Sequence, residues 1–173
     1  MSWLSQGWHA TRGWISNLTL EQASDLAPVA TACIALGAAI IAWRAIRAQR
    51  DVARRRAAID FFLKTEMDEK IIALYKKFKA REGSFEKWAD NPAFKFDPDY
   101  DDIRTFLNIC ELIAVGIRQK TFSKHVSRAY WGDVLPRTYK EARPLIEKIR
   151  NTPGEGTPHT YVDLQKLCEK WRS

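Results

Sequence analysis

An uncharged apolar block of eighteen residues, Leu26 to Trp43, runs directly into a run of arginines. The stretch LAPVATACIALGAAIIAW is followed by RAIRAQRDVARRR, which places six arginines and one aspartate between Arg44 and Arg56. At about 1.5 Å per residue, a helix of this length spans about 27 Å, close to the hydrocarbon thickness of a bilayer. The competing reading is a buried core helix of a soluble domain, with which Pro28, Thr31 and Gly37 are compatible. The arginines begin where a core helix would normally turn, so the block is expected to be a transmembrane helix over residues 26–43.

The charges predict an orientation. Residues 1–43 carry Arg12 against Glu21 and Asp25, whereas the remainder of the chain holds 27 basic and 19 acidic groups. Positive charge beside a span keeps that end in the cytoplasm. The expected topology is therefore a single-pass membrane protein with its N-terminus outside and its C-terminal domain cytoplasmic. A cleaved signal peptide fits poorly, because its basic region would precede the apolar run. Trp43 stands where an aromatic anchor would meet the headgroups.

Four segments follow. Residues 1–25 form an extracytoplasmic amphipathic segment in which Trp3, Leu4, Trp8, Trp14, Ile15 and Leu18 lie near one side of a helix. Gly7 and Gly13 weaken that helix, and a loosely structured, tryptophan-anchored tail fits the pattern nearly as well. Residues 26–43 are the span and 44–56 a basic juxtamembrane helix. Residues 57–173 form a cytoplasmic helical domain, since about 130 residues beyond the span suffice for one core. The sequence pI of about 9.4 suits anionic lipid or nucleic acid. Much of the excess charge sits beside the span, however, so membrane lipids are the first expected partner. Cys33, Cys110 and Cys168 lie far apart in apolar surroundings, which suits free thiols in a reducing cytoplasm. No metal-ligand spacing and no cofactor motif are present.

One face of the span is built from small residues. Thr31, Ala35, Ala38, Ala42 and Ala45 recur at intervals of three or four. In lipid, such a seam lets helix backbones approach, and packing then drives association. Homo-oligomerisation is the expected consequence; an alanine-rich anchor without further meaning is the alternative. Arg44, Arg47, Arg50 and Arg54 would form a basic mouth at the inner end of such an assembly, or simply be solvated beside lipid phosphate.

Neither Gly nor Pro occurs between Ala38 and Glu82, and Ile59, Phe62, Leu63, Met67, Ile71, Leu74 and Phe78 repeat at helical spacing. One helix is thus expected to leave the bilayer and continue as the first helix of the domain. Residues 82–100 read as a turn region whose aromatics Phe85, Trp88, Phe94, Phe96 and Tyr100 staple it to the core. Its aspartates argue against base stacking, because they repel phosphate. Asp99 can cap a central buried helix over 99–119. Ser123 caps a helix through Trp131, Gly132 breaks it, and Asp133 opens another that Pro144 should kink or interrupt. Thr160 caps the last helix after the loop 151–159.

A polar stripe of Arg104, Asn108, Glu111 and Arg118 crosses the central helix. A carboxylate among apolar side chains needs a partner, and an arginine one or two turns away is the expected one. Seven residues beyond Arg118 stands His125, giving the spacing Arg-x6-His. This resembles the signature of HEPN-type ribonucleases, small helical domains that act as dimers. The resemblance implies that Arg118 stabilises phosphate charge, that His125 is a general acid or base, and that Glu111 or Asn108 orients them.

The segment Leu107 to Ile117, with Tyr130-Trp131, Tyr161 and Trp171, resembles a bacterial family of uncharacterised membrane-anchored helical proteins. The architecture is also similar to the small membrane accessory proteins of type VI CRISPR loci. The helical periodicity, with no strand-like alternation, gives an all-α fold; the likeness implies a HEPN-like cytoplasmic domain, a bacterial inner membrane, ring-forming oligomers and membrane perturbation during phage defence. Three expectations follow: an oligomeric, pore-like effector without enzymatic activity; a membrane-tethered domain that binds or cleaves RNA through Arg118 and His125; and a scaffold recruiting a cytoplasmic partner such as a CRISPR effector complex.

Overall fold

The described residues, 20–172 of a computed structural model, form helices and no strand. Helix α1 runs from Leu20 to Met67, beginning six residues ahead of the apolar block and passing through Pro28. It contains an 18-residue window of mean hydropathy 1.9, no part of which is buried. Among the described residues it is the one helix long and apolar enough to cross a membrane. A core helix of a water-soluble domain would be mostly covered; from Ala27 to Arg50 every residue but Gly37 is exposed. Thr31 satisfies its hydroxyl within the helix, donating to the carbonyl of Ala27 at 2.8 Å. Residues 1–19, which include most of the tryptophan-bearing segment, lie outside the described residues.

The expected continuous helix does not reach Glu82. It stops at Met67, because Asp68 takes an extended backbone and its carboxylate accepts the N–H of Lys70 at 2.9 Å and of Ile71 at 3.3 Å. An aspartate capping the next helix is enough to end α1 without glycine or proline. Helix α2 then spans Glu69–Ala80, and short α3 spans Phe85–Asp90. A 3-10 turn covers Phe94–Phe96, followed by α4 (Tyr100–Arg118), α5 (Lys124–Trp131), α6 (Val134–Asn151) and α7 (Val162–Arg172).

The chain divides into two units, Met1–Gln49 and Arg50–Ser173. In the second, α4 packs against both α2 and α7, and α6 against both α3 and α7. Ile103, Phe106, Leu107, Cys110, Ile113 and Ala114 of α4 are sealed in the core, so α4 is the buried central helix that its apolar pattern predicts. The aromatics of residues 82–100 act as staples: Phe85, Trp88, Phe94 and Tyr100 are buried, while Phe96 is left 78% exposed.

Three local expectations change. Helix α6 is not interrupted at Pro144. Ala142, Leu145, Ile146 and Ile149 are buried against its neighbours, and that packing outweighs one missing backbone bond. Asp99 does not cap α4; its carboxylate faces Arg81 at 3.0 Å and Lys77 at 3.2 Å. Thr160 turns back to accept the N–H of Thr157 at 2.9 Å rather than capping α7.

Candidate functional site

The polar stripe of α4 is dispersed among separate partners. Arg104 donates to Glu155 at 3.0 Å and to the carbonyl of the same residue, tying the loop before α7 to the central helix. Tyr100 donates to the same Glu155 carboxylate at 2.9 Å, and burial with that contact pushes its hydroxyl up to about 12. Asn108 is exposed.

Among the described residues no arginine of the stripe bonds Glu111. Its two oxygens accept the backbone N–H groups of Asp163 at 3.1 Å and Leu164 at 2.7 Å, so it caps α7 from outside that helix. Partial burial pushes its carboxyl above the usual carboxylate range, and the two N–H donors oppose that rise. Arg118 is held by Asp163 at 2.8 Å. His125 is exposed on α5 and lines a surface cavity with Lys124, Arg128 and Ala129. Among the cavity-lining residues, Arg118 belongs to a different concavity.

That second concavity has a volume of about 660 Å³. Its cations come from four helices and the turn after α4: Arg54 and Arg55 of α1, Arg118 and Lys120, Lys124 of α5, and Lys166 and Lys170 of α7. Two carboxylates, Asp51 and Asp163, accompany them, and Arg54 pairs with Asp51 at 3.3 Å as Arg118 does with Asp163. Ala114, Ile117, Phe122 and Leu167 supply an apolar wall.

The turn after α4 builds that wall. The N–H groups of Thr121 and Phe122 both donate to the carbonyl of Gly116, at 2.9 and 3.1 Å. A methyl group on Gly116 would lie 2.5 Å from the Phe122 ring, so glycine lets the ring lie flat on α4. The ring also meets Phe61 at a centroid distance of 5.1 Å, and the N–H of Ser123 donates to the carbonyl of Arg54 at 3.3 Å.

Sequence reasoning singled out Arg54 and Arg118 but missed Arg55, Lys120, Lys124, Lys166 and Phe122 as members of one site. They are distant in the chain, and each alone reads as an ordinary surface or core residue. Of the other arginines expected at a basic mouth, Arg47 lies over the Trp43 ring at 4.0 Å, while Arg44 and Arg50 are exposed. The seam residues Thr31, Ala35, Ala38, Ala42 and Ala45 are all exposed. No metal-holding cluster of His, Cys, Asp or Glu occurs among the described residues.

The chain belongs to the DUF4760 family, described as a domain of unknown function, whose model matches residues 32–171. The match begins inside the apolar block and so covers part of that block as well as the helical domain. No curated protein and no solved structure shows a significant match.

Proposed function

We infer that this protein is a self-associating, single-pass membrane protein whose helical domain organises its spans into a bundle that acts on the bilayer. The observation that carries this reading is the apolar face of α1 beyond the uncharged block. Ile59, Leu63 and Met67 are 46, 55 and 78% exposed, and they repeat every four residues. A bilayer accounts for bare apolar groups between Leu26 and Trp43, but not for these, which follow a segment carrying six arginines. Contiguous exposed apolar groups of this kind mark an interface.

The period supports a second copy as the occupant. Thr31, Ala38, Ala45, Val52 and Ile59 recur every seven residues, the spacing of helices that wrap around one another. Three of these belong to the small-residue seam, so one repeat links the seam to the exposed stripe.

The charge asymmetry supports a cytoplasmic domain with the N-terminus outside. The resemblance to CRISPR accessory proteins supports defence against phage as the setting, a HEPN-like domain, and a pore or membrane perturbation as the action. For the ribonuclease reading no comparable observation exists: Arg118 is engaged by Asp163, and His125 lines a different cavity.

Mass measurement of the detergent-solubilised protein, by light scattering or particle imaging, tests the reading. The wild type is expected to be a multimer of defined size. The double change Leu63→Lys and Met67→Lys should shift it toward monomer while leaving its helical content unchanged, because both side chains are exposed within one copy. A monomeric wild type would sink the proposal.

A further inference from the structure

The basic concavity of the helical domain has chemistry that the fold does not otherwise use. Both of its carboxylates are taken, Asp51 by Arg54 and Asp163 by Arg118. Arg55, Lys120 and Lys166 face the same space and form no ion pair among the described residues. Cations gathered without counter-charge raise the local positive potential, and a concave, partly apolar wall focuses it. An anion is the natural complement.

The end of α4 fixes where Lys120 stands. Its backbone lies in the left-handed region, φ 58°, at the turn just past the end of α4. Glycine is the usual residue there, because a side chain in that conformation is strained. Among the described residues the other non-glycine residue with positive φ is Tyr161, also 58°, and its side chain is 3% exposed. Lys120 is exposed. The left-handed turn closes α4, with the N–H groups of Lys120 and Thr121 donating to the carbonyls of Ile117 and Gly116 at 3.1 and 2.9 Å, and it sets this lysine on the lining of the concavity.

The apolar part of the lining is firmly held. The Gly116 turn lays Phe122 against α4, beside Ile117 and Leu167. The site therefore offers both cations and hydrocarbon surface. Its volume of about 660 Å³ fits a small molecule rather than a folded macromolecule.

We propose that this concavity binds a small phosphate-bearing ligand with an adjoining apolar group. The phosphate lies among Arg55, Lys120 and Lys166, and the apolar part rests on Ile117, Phe122 and Leu167. Two sources share this chemistry: a free nucleotide, and the headgroup and first acyl carbons of an anionic phospholipid. The proposal concerns the domain alone and does not rest on self-association.

The test uses the full chain in nanodiscs of zwitterionic lipid, titrated calorimetrically with ADP and with pyrophosphate. A parallel arm measures retention of phosphatidylglycerol by native mass spectrometry after extraction from mixed nanodiscs. Saturable, salt-sensitive binding is expected in one arm, which identifies the source. Lys166→Gln should weaken it about fivefold, as expected for the loss of one cation beside phosphate. Lys120→Gly should weaken binding by a similar factor while raising the unfolding temperature, because glycine relieves the left-handed backbone. That opposition of signs separates a ligand role from a structural one. No binding in either arm, or binding unchanged in both variants, would overturn the proposal.

Discussion

The carboxylate of Glu111 accepts the backbone N–H of Leu164 at 2.7 Å, so a side chain on α4 satisfies the first turn of α7. Its other oxygen takes the N–H of Asp163, and Asp163 in turn holds Arg118. One carboxylate thus fixes where α7 begins, and with it the wall of the concavity that α7 contributes.

Replacing Glu111 by alanine should cost about 1–2 kcal/mol, the usual loss for a helix cap. Glutamine keeps one acceptor and should cost about 1 kcal/mol. The pH dependence distinguishes the two forms. Burial raises the Glu111 carboxyl in the folded chain, so the folded state holds the proton to higher pH than the unfolded state. Its contribution therefore falls as pH rises from the ordinary carboxylate value toward the folded one. Denaturant unfolding between about pH 4 and pH 7 should show this slope in the wild type and a flatter curve in Glu111→Gln.

Arg81 gives the opposite sign. Its guanidinium bonds Asp97 at 2.8 and 3.0 Å and Asp99 at 3.0 Å, and lies over the Trp88 ring at 5.0 Å. The Arg81 contact, assisted by Lys77, holds the Asp99 carboxyl below the usual range against the effect of burial. This stabilisation is present above the unfolded carboxylate value and is lost as pH falls toward the folded one. Arg81→Met should cost about 1 kcal/mol near neutrality and leave a shallower acid limb in thermal unfolding.

Gly116 and Phe122 are predicted to be strongly coupled. Gly116→Ala alone should destabilise by roughly 1–3 kcal/mol, because the new methyl group meets a ring already held by Phe61. In a Phe122→Ala background the same change should become neutral or stabilising by up to about 1 kcal/mol, the helix preference for alanine over glycine. A double-mutant cycle measured by urea unfolding checks it; additive effects would show that the ring is free to move.

Much of the fold was legible in the chain. The apolar block, the buried face of α4 and the Ser123 cap all follow from periodicity and turn chemistry within one short stretch of sequence. The stop at Asp68 was hidden because an aspartate on a helical pattern reads as an exposed polar position unless its backbone is known. The partner of Glu111 was hidden for a different reason: it is main-chain N–H of a helix more than fifty residues away, and no residue type announces that. The concavity failed on the same ground. Arg55, Lys120 and Lys166 carry no shared spacing, and only the meeting of α1, α4 and α7 makes them one site.

Cys33 stands apart from the other two thiols. Cys110 and Cys168 are sealed in the core, where burial pushes both up, Cys168 to about 12, and so leaves them unreactive. Cys33 is exposed and, at 100° per residue, points away from Ala35, Ala38 and Ala42. The chain therefore carries a native compass for its own span: copies meeting through the alanines turn their sulfurs outward, and oxidant should leave them unjoined. A rapid disulfide between copies would mean that the helices had met back to back.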